Sequence, residues 1–71
     1  MMSDLKNIIF QFINNRSKQN ESTTSRHIHR RFDIPISEAE EVLKEFVTKG
    51  MIEEFYDDEY QENRYNIKKI N

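Results

Sequence analysis

One apolar spacing occurs twice in this chain. Leu5, Ile8, Ile9, Phe12 and Ile13 fall at i, i+3, i+4, i+7 and i+8, and so do Ala39, Val42, Leu43, Phe46 and Val47. At about 100° per residue each set gathers on one face of a helix, so the fold must be built on two amphipathic helices. The first is predicted over 3–17, with Ser3 as its N-cap, and fades in RSKQNES at 16–22, where Asn and Ser compete for backbone hydrogen bonds. The second is predicted over 37–49. Ser37 and Glu40 match the S-x-x-E capping box, and Gly50, the only glycine, stands where the helix must stop.

Between them, Thr23 and Thr24 offer an N-cap to a short basic helix over 24–32, in which Ile28 and Phe32 lie four apart and face the same way. Asp33-Ile34-Pro35 ends it, because proline has no N–H and drives the preceding residue into an extended conformation. After Gly50, residues 51–56 and 64–70 are rich in aromatic and β-branched residues and flank the polar stretch DDEYQEN. This predicts a β-hairpin with a long, mobile tip. In its second arm Tyr65 and Ile67 share one face, and Arg64, Asn66, Lys68 and Ile70 the other. Phe55 and Tyr56 are adjacent, so one of them is expected to be exposed or in a bulge. A short third strand is expected near Pro35. The expected core is Leu5, Ile9, Phe12, Ile28, Phe32, Leu43, Phe46, Ile52 and Ile67. Phe10 lies roughly 130° from the mean of the apolar face of its helix and is expected to be exposed.

Seventy-one residues suit one domain, 1–71, too small for a deep enclosed active site. No cysteine is present, which excludes disulfides and thiolate zinc sites. The longest apolar run is Ile8-Ile9-Phe10, too short for a membrane span or a signal-peptide core, so a cytoplasmic protein is expected. His27 and His29 are two apart, about 200° around a helix, and cannot close on one metal ion. Asp57, Asp58, Glu59 and Glu62 lack the spacing and glycine of a calcium loop. No nucleophile and base pair or phosphate-binding loop is present, so no metal, cofactor, small-molecule ligand or enzymatic activity is expected.

The order helix, short helix, tight turn, helix, glycine, hairpin resembles the winged helix-turn-helix superfamily over nearly the whole chain. Thr24, Ile28, Phe32 and Ile34 are similar to its second helix and turn. Ala39, Leu43 and Phe46 are similar to the buried positions of its third, recognition helix, and Gly50-Met51-Ile52 to its step into the wing. The resemblance implies a mainly α fold with a small β wing, an α+β class of three helices followed by a hairpin. Two positions depart from the pattern. His29 stands where a small residue usually lets two helices cross closely, and Asp33 replaces the usual turn glycine.

Members of this superfamily that regulate transcription press the third helix into the major groove. Here residues 38–62 hold ten acidic and two basic groups, a net of −8. Residues 1–37 carry six basic and three acidic groups, and 63–71 add Arg64, Lys68 and Lys69. Glu38, Glu40 and Glu41 on the third helix would face phosphates that reward Lys and Arg. That acidic face serves as a solvated surface or as a dock for a basic partner.

The candidate nucleic-acid contacts are Arg16, Lys18, Arg26, Arg30, Arg31, Arg64, Lys68 and Lys69, with Tyr65 able to stack a base if exposed; alternatively these cations pair with the acidic groups. The candidate partner-binding residues are Phe10, Phe55, Tyr56, Ile70, Glu38 and Glu41. The expected function is an accessory or adaptor protein of replication or transcription, docked on a larger nucleic-acid enzyme and making weak, nonspecific contacts with DNA. The alternative is a dimeric, sequence-specific transcription regulator. The Asn-, Ile- and Lys-rich composition suggests an AT-rich genome such as that of a phage or mobile element.

Overall fold

The computed structural model describes residues 4–68. Three helices, α1 (Asp4–Lys18), α2 (Ser25–Phe32) and α3 (Ile36–Thr48), precede an antiparallel hairpin of β1 (Ile52–Asp57) and β2 (Glu62–Ile67). The topology is that of a winged helix. Among the described residues no helix is long and apolar enough to cross a membrane.

Local chemistry fixes each boundary. Asp4 opens α1 and Arg16 and Lys18 close it, each charge opposing the helix dipole. Asn20 then turns left-handed at φ 61°, and Glu21 N–H donates to the Arg16 carbonyl at 2.9 Å. Thr24 caps α2 as expected, and Asp33 ends it in the left-handed conformation, φ 55° and ψ 47°. His29 Nδ1 lies 2.6 Å from the Ile34 carbonyl, tying α2 to the turn.

The expected Ser37–Glu40 capping box does not form. Pro35 is the N-cap, its carbonyl accepting from Ala39 N–H at 3.0 Å, so the helix has started before Ser37. Gly50 (φ 73°) terminates α3, with Met51 N–H donating to the Phe46 carbonyl at 2.9 Å.

The hairpin register runs without a bulge from Ile52 opposite Ile67 to Asp57 opposite Glu62, so the tip is only residues 58–61. The Asp57 carboxylate accepts from Glu59 N–H (2.9 Å) and Tyr60 N–H (3.2 Å), which organises the turn that the sequence suggested would be long. No third strand forms near Pro35. Thr23 instead pairs with Tyr65 through reciprocal 2.9 Å backbone bonds, because Pro35 lacks an N–H and leads directly into α3.

The core consists of Ile9, Ile13, Ile28, Ala39, Val42, Leu43, Phe46, Ile52 and Tyr65, with Phe12, Phe32 and Ile67 packed at its edge. Two expectations for α1 are reversed. Leu5 is 38% and Ile8 53% exposed, whereas Phe10 is half-buried and packs edge-on against Phe46 with ring centroids 5.6 Å apart. The helix is rotated toward Ile9, Ile13 and Phe10 because α3 supplies the largest core side chain, Phe46, on that flank.

Candidate functional site

The cationic candidates divide into two groups. Arg16, Arg26 and Arg64 converge where the end of α1, the start of α2 and β2 meet. Arg16 donates through Nε (3.2 Å) and Nη2 (2.7 Å) to the Ser22 carbonyl, its guanidinium 5.8 Å from the Phe12 ring centroid. Arg26 pairs with Glu62 at 2.7 Å. Arg64 reaches Asp57 and Glu62, each at 2.9 Å, and Ser22 Oγ at 2.9 Å, with its side chain only 19% exposed. These three charges knit the fold together, and Arg64 is largely withdrawn from solvent.

The remaining described candidates face outward. Lys18, Arg30, Arg31 and Lys68 are exposed, Arg31 lying 5.5 Å from the Phe32 ring centroid. Arg30 and Lys18 make no ion pair among the described residues. Lys69 and Ile70 lie outside the described residues. Tyr65 is 7% exposed, which rules out the stacking role allowed for it: its hydroxyl donates to Glu54 at 2.8 Å.

The acidic surface spans two elements. Glu38, Glu40 and Glu41 are all exposed on α3, and Glu53 and Glu54 on β1. Glu54 of β1 and Glu40 of α3 both face the Tyr65 phenol: its pKa is raised by burial, by the hydrogen bond to Glu54, and by the charges of Glu54 and Glu40. Lys44 is the exposed base within α3. Glu45 is held below its ordinary pKa by hydrogen bonds from Lys6 (2.8 Å) and Lys49 (3.1 Å).

Beside these charges stand exposed aromatics. Both Phe55 (43%) and Tyr56 (58%) are open to solvent on opposite faces of β1, and Tyr60 (62%) joins them at the tip. The sequence suggested that one would be exposed; with a two-stranded sheet and no element packed over the far end of β1, both are. Phe55 lines an open cleft of about 610 Å³ with Asn14, Ser17, Lys18, Glu53 and Asn66. Phe10, offered as a partner contact because periodicity left it outside, is instead packed against the core.

One role was missed. His27 is the N3 residue of a capping box: Thr24 N–H donates to His27 Nδ1 at 3.0 Å, and His27 N–H donates to Thr24 Oγ1 at 3.3 Å. The signal was present as Thr24-x-x-His27, with His occupying the place normally taken by Glu or Gln. An accepting Nδ1 requires a neutral ring. Burial first, and then the nearby charges of Arg16, Arg26 and Arg64, hold the His27 pKa below its ordinary value, against a smaller opposing effect of Glu62.

No protein-family model matches this chain, and no curated protein or solved structure does so either.

Proposed function

We propose that the chain is a winged-helix interaction module, an accessory protein that works mainly by docking on a larger protein of a replication or transcription complex. The observation that carries this reading is the exposed acidic charge of α3 and β1. Glu38, Glu40, Glu41, Glu53 and Glu54 are exposed where a groove-binding winged helix would need cations. Such a surface repels phosphate and attracts a basic protein surface, increasing the rate of encounter and rejecting acidic competitors. Exposed Tyr56, on the same face of β1 as Glu54, supplies an aromatic contact beside the carboxylates, and Phe55 does so with Glu53 on the opposite face.

Nucleic acid enters this reading only as a weak second contact through Arg30 and Arg31, with Lys18 and Lys68 on other elements. The regulator alternative needs α3 to read bases through glutamates, which can accept from cytosine N4 but gain nothing from the backbone.

Fluorescence anisotropy with labelled duplex and single-stranded DNA tests the proposal. Binding should be weak, indifferent to sequence and steeply lost with added salt, and Arg30→Ala with Arg31→Ala should flatten the salt slope. Tight binding to a palindrome, abolished by Glu41→Ala, would establish the regulator reading instead. The protein-docking half is tested by isolating the complex from the source cells with wild type and with Glu40→Lys/Glu41→Lys. The reversed charges should release the partner.

A further inference from the structure

The exposed edge of α1 carries an inference of its own. Leu5 and Ile8 are 38% and 53% exposed although they continue the apolar pattern of the helix, and Phe12, one turn on, is only partly covered by its edge-on contact with Phe32 at 5.5 Å. At about 100° per residue, Leu5, Ile8 and Phe12 form one stripe along the helix, flanked by Asp4 and Asn15. Leu5 also lines a cleft of about 310 Å³ with Lys6 and with Glu38, Glu41, Val42 and Glu45 of α3, so the stripe opens onto a mostly acidic wall at that end.

The charges around the stripe are polarised along its length. Asp4 and Glu38 stand at the Leu5 end, both exposed and without an ion pair among the described residues. Arg16, over the Phe12 ring, Arg31, over the Phe32 ring, and exposed Lys18 stand at the other end. Such a surface is complementary to itself turned end for end. An antiparallel copy would set Ile8 across from Phe12 and Asp4 across from the Arg16–Lys18 end, about 18 Å along the helix. It would also oppose the two helix dipoles favourably.

We infer that α1 pairs antiparallel with α1 of a second copy of this chain, burying Leu5, Ile8 and Phe12 on a two-fold axis. A single helix of about 22 Å sets the contact near the lower limit of stable interfaces, so the dimer should be weak and concentration-dependent. Aromatic and aliphatic anchors inside a charged rim are the pattern that concentrates binding energy at few positions.

Sedimentation velocity over a concentration series tests this. The wild-type chain should pass from monomer to dimer. Ile8→Glu should weaken association at least about tenfold with unchanged helical circular dichroism, because the side chain is already half in water. Asp4→Lys and Lys18→Glu should each weaken association severalfold, and the double variant should restore it, as only an antiparallel pairing with a second copy predicts. A wild-type chain that stays monomeric to several hundred micromolar overturns the inference. So does a dimer indifferent to Ile8→Glu, or a charge swap that keeps the helical circular dichroism of the wild-type chain and still fails to rescue. Folding of Ile8→Glu is checked in the same samples, and the charge-swap pair provides the answer should that variant unfold.

Discussion

Helices α1 and α3 carry the same five-residue apolar spacing and meet opposite fates. In α3, Ala39, Val42, Leu43 and Phe46 are at most 7% exposed and Val47 is packed at the core edge. In α1 only Ile9 and Ile13 are fully buried, while Leu5 and Ile8 remain in water. The difference lies in the neighbours. α3 packs against α2 on one side and β1 on the other, with Lys6 of α1 bonded to its Glu45, so its apolar face is covered across its width. α1 contacts β2 and, through Phe10 and Phe12, single rings of α3 and α2, which leaves its Leu5–Ile8 edge uncovered. Periodicity locates an apolar face, but the elements packed against that face decide how much of it is buried.

The largest effect should come from truncating the covered helix. Leu43→Ala or Phe46→Ala should cost about 2–5 kcal/mol, a large part of the stability of a domain this small, seen as a lowered midpoint in urea unfolding. Phe10→Ala comes next. Its ring is half-buried and edge-on to Phe46, so the loss should be about 2 kcal/mol, less than for Phe46 itself. A neutral Phe10→Ala would return that residue to the surface and undo the contrast between the two flanks of α1.

The element order, the Asp33 and Gly50 turns, the Thr24 cap and every expected core position except Leu5 were legible in the sequence, because each depends on spacing or on one residue's conformational habit. What was not legible depends on packing. The rotation of α1 that buries Phe10 and exposes Leu5 follows from where Phe46 sits. Tyr65 is buried because Thr23, forty-two positions earlier, pairs with its backbone. The candidate site was less legible still. Counting charges located the acidic groups, but which arginines are already paired was decided by Glu62, which takes Arg26 and Arg64, and by the Ser22 carbonyl, which takes Arg16.

The start of α2 gives a third and smaller effect. Thr24→Ala removes the side-chain acceptor for His27 N–H and should cost about 1 kcal/mol. The His27 half of the box is sensitive to pH. Its folded pKa lies below the unfolded value of 6.5, so folding favours the neutral ring. The stabilisation is therefore complete above pH 6.5 and declines as pH falls toward and through the folded pKa. His27→Gln keeps an acceptor at N3 and cannot titrate there. Thermal unfolding of this variant should show a smaller loss between pH 7.5 and 5.5 than the wild-type chain; equal losses would mean that Nδ1 does not hold the cap.

The smallest effect, and the sharpest comparison, belongs to the uncovered edge. Ile8→Ala removes as many carbon atoms as Leu43→Ala, from the same spacing in a sister helix, yet its side chain is already half in water. In dilute solution, where the chain is monomeric, only the covered half of its apolar surface is lost and alanine is the better helix former. The two terms oppose each other, so the net change should be below about 1 kcal/mol, against several for Leu43→Ala. At high concentration the comparison should shift. If α1 pairs with a second copy, Ile8 becomes buried as Leu43 is, and the stability of the wild-type chain should rise with concentration while that of Ile8→Ala stays nearly flat. Urea midpoints at a few micromolar and at several hundred micromolar separate the cases. A wild-type midpoint independent of concentration leaves α1 with an edge that nothing covers, and a large loss for Ile8→Ala in dilute solution would show that the two helices are buried alike after all.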